Sequence, residues 1–262
     1  MLPKAELHLH LDGSLRPGTL FELSRTSGVE LPVSDPEALG EWMIPEVGGT
    51  LEDYLERFEQ TLAVLQTRES LIRVSRELVE DAAADNVRYL EIRFCPALNT
   101  REGLSLDEVM QAAWEGVQEG EGATGVPARL IVCGLRNFDP DVSVELAELA
   151  VACRDRGVVG FDLAGGEAGH PAADHAEAFT VAARGGLGRT VHAGEAWGPD
   201  SVWQALVEGR AQRIGHGTRL GEDHRLADTL RDHRIPVEVC LTSNLQTGAA
   251  PSYAEHPLRA FF

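Results

Sequence analysis

No two of the four cysteines stand in a Cys-x-x-Cys arrangement. Cys95, Cys133, Cys153 and Cys240 are scattered singly, and three fall in apolar strand-like segments where a free thiol behaves as a small hydrophobe. No charged-then-apolar leader is expected, since Lys4 and Glu6 flank the first apolar residues directly. No run of about 18 apolar residues is present to span a bilayer. No Gly-x-Gly-x-x-Gly follows the first strand, which removes the usual dinucleotide fingerprint. Positive charge is scarce: 23 Lys and Arg stand against 42 Asp and Glu, a net charge of −19. A surface that acidic repels phosphate backbones and anionic lipid, so neither nucleic acid nor membrane is an expected partner. A reducing, cytoplasmic setting follows as the expectation.

What is present begins five residues in. In Glu6-Leu7-His8-Leu9-His10-Leu11-Asp12-Gly13, leucines alternate with His8, His10 and Asp12. Period-2 alternation predicts a strand, and residues two apart on a strand share a face. Two imidazoles projecting side by side suit a divalent metal such as zinc. An isolated histidine would read as a solvated edge residue; His-x-His-x-Asp on one face favours a metal.

The rest alternates strand with helix. Helix is expected at 17–24, 51–65, 69–85, 106–119, 139–156, from Pro171, at 199–208 and at 223–232, and loop at Pro32–Pro45 and Gly120–Gly125. Strands are expected at Val87–Phe94, Ala128–Arg136, Val158–Gly165, Arg189–Glu195, Arg213–Gly217 and Val237–Asn244. With 262 residues, 43% of them hydrophobic, one domain of this kind can bury a substantial core. Seven βα units with buried strands predict a parallel sheet, best matched by a (β/α)8 TIM barrel with seven of its eight strands present.

Barrel sites lie at the C-terminal ends of strands. Those ends here carry His8, His10 and Asp12, then Asp162 and Gly165, then His192 and Glu195, and finally His216. The other five histidines (His170, His175, His224, His233 and His256) are expected to be solvated. His8, His10 and His192 would give three nitrogen ligands to one zinc ion, leaving a position for water. Glu195, across the turn His-Ala-Gly-Glu, would face that water without being a ligand. Burial would raise its pKa and let it donate a proton. His216, bracketed by Gly215 and Gly217, could hydrogen-bond the attacking water or deprotonate it.

His8-Leu9-His10-Leu11-Asp12-Gly13, Asp162-Leu163-Ala164-Gly165, Thr190-Val191-His192-Ala193-Gly194-Glu195 and Gly215-His216-Gly217 together resemble the adenosine deaminase family, in that order and spacing. Thr242–Gly248 is similar to its seventh-strand segment. The resemblance implies a zinc barrel, with one ion per chain, that converts adenosine or deoxyadenosine to the inosine product and ammonia. It implies that Glu195 protonates the purine N1 and that His216 polarises the attacking oxygen. Gly165 would meet the purine ring through its backbone, Asp12 would lie near the ribose 5′-hydroxyl, and His10 would also touch substrate. Two departures stand out. Gly166-Glu167 replaces the family's Asp-Glu. The chain ends at Phe262, before the Thr-Asp-Asp-like strand the family carries, so a C-terminally incomplete barrel with weakened metal binding is expected. The competing readings are a related deaminase of adenine or an aminofutalosine-type nucleoside, or an inactive zinc-binding fragment. A binuclear phosphotriesterase or cyclic amidohydrolase would need a lysine where Asp162-Leu163-Ala164-Gly165 stands.

Overall fold

The computed structural model describes residues 2–261. Seven parallel strands follow one another: β1 (Lys4–His10), β2 (Val87–Phe94), β3 (Ala128–Leu135), β4 (Val158–Ala164), β5 (Gly188–Ala193), β6 (Arg213–His216) and β7 (Val237–Glu238). They form one sheet in sequence order, β1-β2-β3-β4-β5-β6-β7. A helix or helices fall between each strand and the next. This is the strand–helix succession of the (β/α)8 barrel, with seven strands among the described residues.

By chain contacts the fold divides into two compact units. One comprises the residues up to Pro45, Glu56–Ile131 and Cys153–Val159; the other comprises Glu46–Leu55, Val132–Ala152 and the residues from Gly160 onward. In the first, the helix Arg68–Ala84 is opened by a capping box between Thr67 and Ser70, and the helix Leu106–Thr124 by another between Ser105 and Glu108. Each box satisfies backbone donors that a helix start leaves open. Leu71, Val74, Leu78 and Val79 of the former and Val109, Met110, Ala113 and Val117 of the latter are all buried. In the second unit, Phe161, Leu163, Val191, Ala193 and Ile214 bury the middles of β4, β5 and β6. Strands covered on both faces are what a parallel sheet between helices requires.

Several expectations are corrected. Pro32–Pro45 is not all loop: Pro36–Met43 is a helix whose start is capped by Asp35, which accepts from the Ala38 N–H at 2.8 Å. The 51–65 segment breaks at Arg57 into the helices Leu51–Glu56 and Phe58–Val64. Gly120 lies within a helix that runs to Thr124 and stops at Gly125, whose φ of +72° is left-handed. The largest difference is at β7, which stops at Glu238; Leu241–Gln246, expected as strand, is helical. Short apolar runs fit either period, and here the helical one wins.

Candidate active site

In the first unit, β1 ends at His10, so Asp12 follows the strand rather than sharing its face. The His8 and His10 rings do stand together, with centroids 5.4 Å apart. His10 also meets the edge of Phe58, at 6.4 Å between centroids. Asp12 is buried, and its Oδ1 has no hydrogen-bond partner among the described residues. Burial raises its pKa to about 6, against the lowering effect of its own and Gly13's backbone N–H. A lone buried acceptor of this kind suits a hydroxyl brought by a ligand.

In the second unit, the ends of β4, β5 and β6 converge. His192 and His216 sit one register step apart on β5 and β6, where His192 pairs with Gly215 and Ala193 with His216. Their ring centroids are 5.2 Å apart. Asp162, fully buried on β4, lies 2.9 Å from His192 Nδ1. It also accepts the Leu163 N–H at 2.7 Å. A carboxylate on Nδ1 holds the proton there and places the ring's lone pair on Nε2, the state a metal ligand must adopt. His192 is thereby prepared to offer Nε2 to a divalent cation.

Glu195 lies two residues beyond β5, at the end of the turn that Gly194 makes. Gly194 has φ +72°, and a Cβ there would stand 2.8 Å from Val202 Cγ2, so both conformation and space require glycine. Glu167 fixes this turn. Its carboxylate accepts four successive backbone N–H groups, from Gly194 at 2.6 Å, Glu195 at 3.0 Å, Ala196 at 2.6 Å and Trp197 at 3.0 Å. Arg136 holds the strand end from another side, donating to the carbonyl oxygens of His192 at 2.8 Å and His170 at 2.6 Å.

So placed, Glu195 is buried, with Thr247 Oγ1 3.0 Å from Oε1 and His216 Nε2 3.3 Å from Oε2. Burial pushes its pKa up to about 8; the Thr247 hydroxyl lowers it and the charge of Glu167 adds to the rise. The carboxyl is thus protonated at neutral pH, as a proton donor must be. His216 has φ +66°, a conformation uncommon for a non-glycine residue and stored most often at functional sites. Gly165, just after β4, has φ +89°, which leaves its backbone open to close approach.

Of the histidines expected to be solvated, His170, His224 and His233 are exposed. His175 and His256 are not. His175 is buried between Ser143 Oγ at 2.8 Å and the Arg136 carbonyl at 3.3 Å. His256 is buried against Asn244. Sequence reasoning also missed the work of Glu167 and Asp162. The available signal was their position, acids at or just past the end of a strand that carries the Gly165 turn.

The adenosine deaminase family profile matches residues 3–262. The chain is 46% identical over 274 residues to adenosine deaminase 1 of Streptomyces coelicolor, covering 98% of this chain and 69% of that one. Among solved structures it is similar to adenine deaminase from Arthrobacter aurescens, with a TM-score of 0.92 and 32% identity over 100% of this chain and 79% of the other. It is also similar to the N6-mAMP deaminase of Arabidopsis, with a TM-score of 0.86 and 32% identity over 99% and 78%. A zinc-bound amidohydrolase from Burkholderia ambifaria gives a TM-score of 0.88 and 28% identity over 99% and 72%. The family model and the adenosine deaminase relatives define a hydrolase acting on C–N bonds. The chain belongs to the adenosine deaminase family. No helix among the described residues is long and apolar enough to cross a membrane.

Proposed function

We propose that the protein hydrolyses the 6-amino group of adenosine or deoxyadenosine, releasing ammonia and the inosine product, with one zinc ion per chain. His8, His10 and His192 would hold the ion. A bound zinc ion lowers the pKa of water enough to supply a nucleophile at neutral pH. The protonated Glu195 delivers its proton to the purine N1, which draws electron density from C6. His216 hydrogen-bonds the oxygen that adds to C6. That oxygen's remaining proton passes to the 6-amino nitrogen as the C6–N bond breaks and the carbonyl forms, so ammonia leaves, while the water's other proton returns Glu195 to its acid form. Gly165 offers its backbone to the purine ring. Asp12 accepts the 5′-hydroxyl.

The observation that carries this reading is the burial of the Glu195 carboxyl 3.3 Å from His216, which raises its pKa to about 8. The partnerless Oδ1 of Asp12 supports a nucleoside with a free 5′-hydroxyl. A phosphate beside that carboxyl would be costly without a cation. Among the described residues no disulfide joins Cys95, Cys133, Cys153 or Cys240, which is compatible with a reducing, cytoplasmic compartment. The test is kcat/KM of the zinc-loaded protein for adenosine, deoxyadenosine, adenine and N6-methyl-AMP, followed by loss of absorbance. The two nucleosides are expected to exceed the others by at least about tenfold. Preference for adenine or for the nucleotide would overturn the assignment.

A further inference from the structure

We propose that Asn244 and His256, which touch no reacting atom, are positioning residues that fix the tautomer of His216 as Nε2–H and so make it a hydrogen-bond donor rather than a base. A backbone N–H can only donate. The backbone N–H of Leu258 donates to His256 Nδ1 at 3.0 Å. Nδ1 of His256 is therefore the lone-pair nitrogen, and in the neutral ring the proton sits on Nε2. That Nε2 lies 3.1 Å from Asn244 Oδ1, which accepts it. The reverse amide orientation would set the Asn244 NH2 against an N–H, two donors with no acceptor. With Oδ1 so engaged, the Asn244 NH2 points at His216 Nδ1, 3.0 Å away. His216 Nδ1 accepts, and its ring proton is on Nε2. That atom faces Glu195 Oε2 at 3.3 Å.

Burial makes the order of donors and acceptors binding. Asn244 is 0% exposed, His216 4% and His256 6%, so water does not enter to satisfy a reversed network. Burial also pulls the His256 pKa below its ordinary value, which keeps that ring neutral. The backbone amide of Leu258 thus passes its polarity over two side chains, His256 and Asn244, to His216. The catalytic part rests on the proposed function above; the tautomer part does not.

The test uses zinc-loaded protein and two variants. In a long-range 1H–15N spectrum, wild-type His216 is expected as the Nε2–H form. Asn244→Asp, which can only accept, is expected to move the proton to Nδ1. It should lower kcat about 10- to 100-fold while KM stays within about threefold, the scale of lost outer-shell orientation. His256→Gln keeps an N–H donor toward Asn244 and is expected to hold both the Nε2–H form and kcat within about threefold. A wild-type His216 carrying its proton on Nδ1 would overturn the proposal, as would folded Asn244→Asp with unchanged kcat. The spectrum reads the tautomer without turnover, so its failure is separable from failure of the deaminase reading.

Discussion

Glu195 Oε2 and His216 Nε2 lie 3.3 Å apart, both side chains about 5% exposed. Each group supplies what the other lacks: a carboxyl kept neutral by burial, and an imidazole whose Nε2 proton points at it. Neither is positioned by its own strand alone. Glu195 is placed by the carboxylate of Glu167 and the turn at Gly194, and His216 by a left-handed backbone and Asn244.

Glu195→Gln removes the transferable proton while keeping size and most contacts. We expect kcat to fall about 10²- to 10⁴-fold, the usual range for a general acid, with the fold retained by circular dichroism. In the wild type, kcat should fall as pH rises through about 8, where the carboxyl ionises. That descending limb should be absent from the residual activity of the variant.

The same group sets a stability trend. Its folded pKa, about 8, lies above its ordinary value of 4.5, so the native state binds the extra proton between those pH values. The contribution of this group to stability is therefore largest below about 4.5 and declines as pH rises to about 8, because the unfolded chain holds fewer protons at this site there. Thermal melts across this window should show Glu195→Gln losing less stability with pH than the wild type.

Glu167→Gln replaces a charged acceptor of four backbone N–H groups with an amide that turns a donor toward some of them. A loss of about 3 kcal/mol in urea unfolding is expected, since hydrogen bonds to charged groups are the costly ones to break. Activity should fall at least about tenfold through displacement of Glu195, with no change in which substrate is preferred.

Asp162→Ala frees His192 Nδ1 from its carboxylate. Zinc affinity, measured by competition with a chromophoric chelator, should drop about 10- to 100-fold. Asp12→Asn should instead leave zinc affinity unchanged and raise KM for adenosine, with little effect on turnover of free adenine.

Strands β2 to β5 were legible within one or two residues because their apolar runs are bounded by glycine, proline or charge. That His192, Glu195 and His216 stand at or just past strand ends was legible because each closes an apolar strand-like run, and the pairing of the His8 and His10 rings because His-x-His is written along β1. Leu241–Gln246 was not, because six residues of mixed polarity satisfy the strand and helix periods equally. His256 was misjudged for a physical reason: its burial comes from Asn244, twelve positions away, and no local pattern encodes that packing. Glu167 was visible as an acid after two glycines, but its role depends on four amides of a turn 27 to 30 residues later.

Zinc-dependent deamination is tested most directly by following inosine formation from adenosine in a single preparation as zinc is stripped with a chelator and then returned. Turnover is expected with one zinc per chain, is lost on stripping, and recovers on zinc addition. Zinc-loaded protein that leaves adenosine intact, or turnover that persists unchanged after the metal is gone, would contradict it.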